Sequence, residues 1–214
     1  MTLQEIRNDV LARIGPDHEI TNAQIDTFIN EGYNHVISKI VDDCQDYFGD
    51  TETIATDVGT QEYTPTNEFI TIRFVDYNPG DGLWRRATFI PLNEIKSLQD
   101  TTTQSFTDTN ARYYLWGNKI GILPVPTAIG SVIIHGIVKP TALSANSDVP
   151  AFLSTHHSLL TTWAIKCMVE SVDENYLDGQ RKQQEFEVGC DELLRLIGAR
   201  QSDTIKKITV TPLY

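Results

Sequence analysis

The chain has 214 residues, 40% of them hydrophobic and 21% charged, and a net charge of −12. That balance marks an ordinary globular protein with one substantial core, or one core carrying an inserted module. Acidic residues outnumber basic ones 18 to 7 over residues 1–100 and only 11 to 10 beyond, which excludes a phosphate-binding basic face on the first half.

The acidic excess reads as a solvated surface that aids solubility. The alternative is an acidic wall that repels DNA or meets a basic partner. The opening "MTLQEIRNDV" has neither the basic start nor the apolar run of a signal peptide. No window approaches the roughly 18 apolar residues of a membrane-spanning helix. Cys44, Cys167 and Cys190 are scattered and form no CxxC pair, which suggests reduced thiols in a cytosolic product.

Taken in chain order, Thr2-x-x-Glu5 is a capping box that opens a short helix with the stripe Leu3, Ile6, Val10 and Ile14. Gly15-Pro16 ends it. A second capping box, Thr21-x-x-Gln24, opens a longer helix with Ile25, Phe28, Ile29, Val36, Ile37, Ile40, Val41 and Cys44 at helical spacing. From Thr51 the period changes. Residues 53–56, 62–65, 69–77 and 83–90 are rich in β-branched and aromatic side chains, with turns at Gly59, Asn67 and "NPGDG". Residues 100–111 are polar and aperiodic, and read as a mobile loop.

The stretch "YYLWGNKIGILPVP", Tyr113 to Pro126, alternates about Gly117-Asn118, a pair able to take positive φ. It lacks the Lys, Ser or Thr neighbours and the following helix of a phosphate cradle, so it predicts a hairpin turn. "SVIIHGIVKP" at 131–140 is one more strand. Two helices follow: one carries Leu159, Leu160, Trp163, Ala164, Cys167, Met168 and Val172, the other Phe186, Cys190, Leu193, Leu194 and Ile197, with a polar break near Asp173–Gly179.

The expected fold is α+β: an antiparallel helical bundle formed by the N- and C-terminal helices, with an inserted small antiparallel β module and an extended C-terminal tail. Residues 1–50 and 141–200 form the bundle, 51–140 the module and 201–214 the tail. Such an insertion is tolerated where its ends leave the host close together.

Catalytic chemistry finds no purchase. His156-His157 is the most tempting metal pair, but adjacent helical residues diverge by about 100°, and a capping or packing role near a helix start fits better. His18, His35 and His135 stand alone. There is no HExxH or GxSxG, and the cysteines lack a local activating arrangement. Arg85-Arg86 is the only doubled arginine. On a strand its two side chains leave by opposite faces, so it reads as an exposed strand end able to meet an acidic partner. No catalytic residue, metal or cofactor is expected.

Several phrases resemble the head-to-tail adaptor, or connector, proteins of tailed bacteriophages. "QIDTFINEGYNHVIS" (24–38) looks like their second helix, and Tyr113–Ala128 resembles their aromatic hairpin closing on "P-x-P". "KPTALSANSDVPAFLSTHHSLLTTWAIKCM" (139–168) is similar to their return into the helices: a "P-x-x-L" phrase, then "D-x-P", then a helix starting near a histidine. "QQEFEVGCDELLRLI" (183–197) fits the final helix, with Phe186 at its aromatic position.

The resemblance implies a structural protein made in the host cytoplasm and found at the head–tail junction of the virion. It implies a homo-oligomeric ring, commonly dodecameric, beneath the portal protein, with tail or tail-fibre proteins attached. Genomic DNA would pass through its channel without sequence-specific binding. On this reading the β-prone tail pairs with an edge on a neighbour or on the portal, anchored by Ile205, Ile208, Val210 and Tyr214. The plain alternative is a frayed C-terminus. Rival functions are another ring component, such as a head-completion or tail-terminator protein, and a hydrolase using acidic residues of the β module. A DNA-binding regulator ranks lower, for want of a basic recognition helix.

Overall fold

Both capping boxes form. In the computed structural model, which describes residues 1–15, 20–44, 46–99, 110–171 and 176–201, α1 (Leu3–Ile14) starts where Thr2 Oγ1 accepts the Glu5 amide at 3.3 Å and Glu5 Oε2 accepts the Thr2 amide at 2.9 Å. Thr21 and Gln24 repeat the exchange at the head of α2 (Asn22–Asp43). Gly15 stops α1 at φ 88°, a left-handed value that disfavours a side chain.

The chain divides into two compact units, Met1–Tyr47 with Pro140–Tyr214, and Phe48–Lys139. In the helical unit, α1 and α2 are joined by α4 (Ser158–Ser171) and α5 (Tyr176–Gln201). The apolar stripes meet in a core of Leu3, Ile6, Ile25, Ile29, Leu160 and Phe186, each fully buried. Cys44 and Cys190 are buried as well; burial pushes the Cys190 thiol up to about 12 and that of half-buried Cys167 to about 11.

The polar phrases of this unit have specific work. Asn30 on α2 takes the Leu143 amide on Oδ1 at 2.8 Å and donates Nδ2 to the Leu143 carbonyl at 2.9 Å, clamping the returning chain at both polar atoms. Asp148 accepts the amides of Ser144 and Ala145, each at 2.7 Å, and these bonds hold its carboxyl below the usual range. The same loop caps α1, since Leu3 and Gln4 donate to the carbonyls of Asp148 and Asn146. Replacing Asn30 by alanine would leave two partly buried backbone groups unmatched. The expected cost is about 2 kcal/mol, read as a lowered urea midpoint with an unchanged slope.

His157 packs in this core at 1% exposure. Its Nδ1 lies 2.9 Å from the Met1 nitrogen and 3.1 Å from the Met1 carbonyl oxygen, and its Nε2 lies 3.0 Å from the Phe152 carbonyl, which can only accept. Burial is the main cause holding its pKa below the ordinary histidine value, against the carbonyls of Phe152 and Met1, which favour the protonated ring. Between that depressed value and about 6.5 the unfolded chain binds the extra proton. Stability is therefore expected to fall as pH drops below about 6.5, and a urea-midpoint series should lose that slope in His157→Gln.

The second unit contains β1 (Gly49–Thr56), β2 (Glu62–Tyr63), β3 (Phe69–Asn78), β4 (Arg85–Phe89), α3 (Leu92–Gln99), β5 (Arg112–Trp116), β6 (Lys119–Leu123) and β7 (Gly130–Val138). They form one seven-stranded sheet in the order β1-β7-β3-β4-β5-β6-β2. Its core is Val75, Tyr77, Ile120, Ile122, Val132 and Ile134 with their neighbours. Gly117 turns the β5–β6 hairpin at φ 59°.

The expected fold class is corrected here. The structure is not a helical bundle with a small antiparallel β module: the sheet has seven strands, is nearly closed and barrel-like, and is mixed because β4 and β5 run parallel. Parallel neighbours need a crossover connection, and α3, absent from the expected elements, lies in the segment that joins them. Of the expected features, Pro16, His18, the 100–109 part of the polar loop, Val172, residues 173–175 of the polar break and the 202–214 tail lie outside the described residues. The rest of that break is helical, since α5 begins at Tyr176.

Candidate interaction surfaces

Three loops meet at one end of the sheet. The Gly59 amide donates to the Pro126 carbonyl at 2.9 Å, tying the β1–β2 loop to the β6–β7 loop. The Gly130 amide donates to Thr56 Oγ1 at 3.1 Å, and the Asn78 side chain accepts the amides of Gly80 and Gly82 in the β3–β4 loop. This rim displays Val58 at 61%, Leu83 at 62%, Trp84 at 47% and Ile129 at 73% exposure. Apolar side chains grouped this way in water mark an interaction surface more often than a free one. Sequence reading passed over them because "NPGDGLW" and "PVPTAIG" carry turn signals; large apolar residues inside such turns were the available clue.

The opposite end of the sheet holds a cavity of about 430 Å³ between the start of β3 and the β5–β6 hairpin. Ile72, Leu115 and Ile120 give it apolar walls, while Asn67, Asn118 and Lys119 add polar groups. Exposed Ile70 and Trp116 belong to the same two strands.

Arg85 and Arg86 leave their strand on opposite sides. Arg85 is opposite buried Tyr77 in the ladder and pairs with Asp81. Arg86 is opposite Asp76, bonds it at 2.7 Å, and lays its guanidinium 3.6 Å from the centre of the Phe74 ring, which stacks in turn on His135 at 4.3 Å. Both arginines thus hold carboxylates of their own chain. Ile205, Ile208, Val210 and Tyr214 lie outside the described residues.

Among the described residues no three His, Cys, Asp or Glu side chains gather as metal ligands, and no helix is long and apolar enough to cross a membrane. His156 is half-buried and bonded to Thr155, apart from the buried ring of His157. What the two units offer is surface: an apolar rim, an open cavity between strand ends, and a helix whose Tyr176, Leu177 and Val188 face solvent.

Comparison with known proteins gives one family. The family model described as SU10 adaptor protein matches residues 1–208. No curated protein matches the chain.

Proposed function

The chain belongs to the SU10 adaptor protein family, a family of phage structural adaptors, and on that premise we propose that it is a head-to-tail adaptor. Membership makes it a structural component of the virion that contacts other virion components. The finer role is our reading. Copies form a ring, dodecameric by analogy, under the portal protein; the ring extends the DNA channel and gives tail or tail-fibre proteins a platform.

The observation that carries this reading is the match over nearly the whole chain, both units included. The apolar rim supports it, because a ring needs surfaces that are unsatisfied in one copy and covered in the assembly. The motifs of the resemblance also have structural explanations: Asn30 clamps Leu143, and Asp148 braces the loop that caps α1. The tail residues Ile205, Ile208, Val210 and Tyr214 remain proposed anchors to a neighbouring component. Arg85 and Arg86 would serve a partner only by exchanging the carboxylates they now hold.

Quantitative mass spectrometry of purified particles tests the reading. A structural ring requires the chain in every infectious particle at a fixed ratio to the portal, and enriched in neck fragments after capsid disruption. Its absence from particles would overturn the proposal.

A further inference from the structure

The sheet ends on one side in a strand whose outer edge is free. β1 is the terminal strand, and among the described residues its ladder partner is β7 alone. The Val138 amide donates to the Phe48 carbonyl at 3.0 Å, which sets the phase of that antiparallel ladder. Asp50, Glu52, Ile54 and Thr56 therefore bond toward β7, while Gly49, Thr51, Thr53 and Ala55 turn their N–H and C=O groups outward. The Thr51 amide fits this phase, since the neighbouring Asp50 Oδ1 takes it at 2.7 Å. Gly49, Thr51, Thr53 and Ala55 are all exposed. β1 also lacks the devices that blunt an edge: it has no Lys, no Pro and no break in its register with β7. Eight residues of regular edge suit strand addition, in which main-chain bonds supply the affinity.

We infer that this edge receives an extended, Lys- or Arg-bearing segment of a different virion protein, an inference that rests on the adaptor reading above. The charge of the occupant follows from the strand's surroundings. From Phe48 to Ile72 the chain carries five carboxylates and no Lys, Arg or His. Three of them are engaged. Glu52 accepts the amides of Thr66 and Asn67 at 2.7 and 2.8 Å, Glu62 faces Lys119 at 3.3 Å, and Glu68 faces Lys139 at 3.5 Å. Asp50 and Asp57 stand at either end of β1, and neither is in an ion pair among the described residues. A strand laid on this edge runs between those two carboxylates, so a basic side chain at either end of it gains a partner. The outward residues Thr51, Thr53 and Ala55 are small, which leaves the backbone open to approach. The sheet edges of a second copy do not fit. β1 against β1 would bring Asp50 and Glu52 of the two copies together, and β2, at the other end of the sheet, is two residues long.

The test uses particles assembled with the full chain carrying a photo-reactive benzophenone amino acid at position 51 or, separately, at position 55. After irradiation and digestion, mass spectrometry identifies the peptide joined to each position. The expected result is one segment of a different virion protein at both, with a Lys or Arg within it. Thr53→Pro removes an outward amide and no bond to β7, at the kind of edge position where a strand tolerates proline. It should abolish the cross-link from position 55. Thr53→Lys, which keeps the backbone amide and sets a cation against the segment, should do the same. An undiminished cross-link in both variants would overturn the inference. So would a cross-link to a second copy of this chain, or to a segment without a basic residue. No cross-link from either position in particles that contain the chain would overturn it and leave the adaptor reading intact. Particles lacking even the wild-type chain would overturn both.

Discussion

Phe186→Ala is expected to lower the stability of the helical unit by about 3–5 kcal/mol, the range for removing a buried aromatic ring. Phe186 is fully buried, and its ring centre lies 4.7 Å from that of Trp163. Trp163 in turn covers Gly32, where an added Cβ would stand 2.8 Å from the indole, and lies 4.3 Å from His35. Truncating Phe186 removes the support under an indole that bridges α2 and α4, and close packing leaves neighbours little room to collapse into the space. Chemical denaturation followed by helix circular dichroism should show the whole loss. A cost below 1 kcal/mol would mean that the described packing around Trp163 is wrong.

Gly130→Ala is expected to have a comparable effect in the sheet unit, about 3 kcal/mol, at the upper end for overpacking. A Cβ at position 130 would sit 2.1 Å from the Asn78 carbonyl oxygen and 3.0 Å from the Gly80 nitrogen. These are backbone atoms, so no side-chain rotation relieves the clash, and the β3–β4 loop must move. That loop carries Leu83 and Trp84, so the substitution should also weaken assembly. Ser131→Ala, one residue along β7, should do neither. Thermal unfolding of the two variants side by side reads the difference, and equal midpoints would refute the close approach.

The helical unit was legible because its signals are local. The two capping boxes, the stripes on α1 and α2, and Phe186, Cys190, Leu193 and Ile197 on α5 all stand where spacing puts them. The Tyr113–Pro126 hairpin was legible for the same reason, since Gly117 and the alternation around it fix a turn within a few residues. The sheet was misjudged because strand neighbours are chosen by distant pairing. Its first and last strands, β1 and β7, pair along their whole lengths, and nothing local in either sequence says so. Missing α3 hid the parallel β4–β5 pair. "PLNEIKSLQ" carries a weak signal, Leu92 and Ile95 at helical spacing after a proline, between stretches read as strand and loop.

The surfaces were harder still. Exposed apolar residues in turns have no period to betray them, and only the meeting of the loops holding Val58, Leu83 and Ile129 makes them a patch. Arg85 and Arg86 show the converse: doubled arginines look available in sequence, yet each has a carboxylate within its own chain.

The most direct test of the adaptor role is electron microscopy of particles produced with this gene inactivated. The account predicts heads that have packaged or leaked DNA and carry no tails, restored when the chain is supplied in trans. Normal, tailed and infectious particles would contradict it.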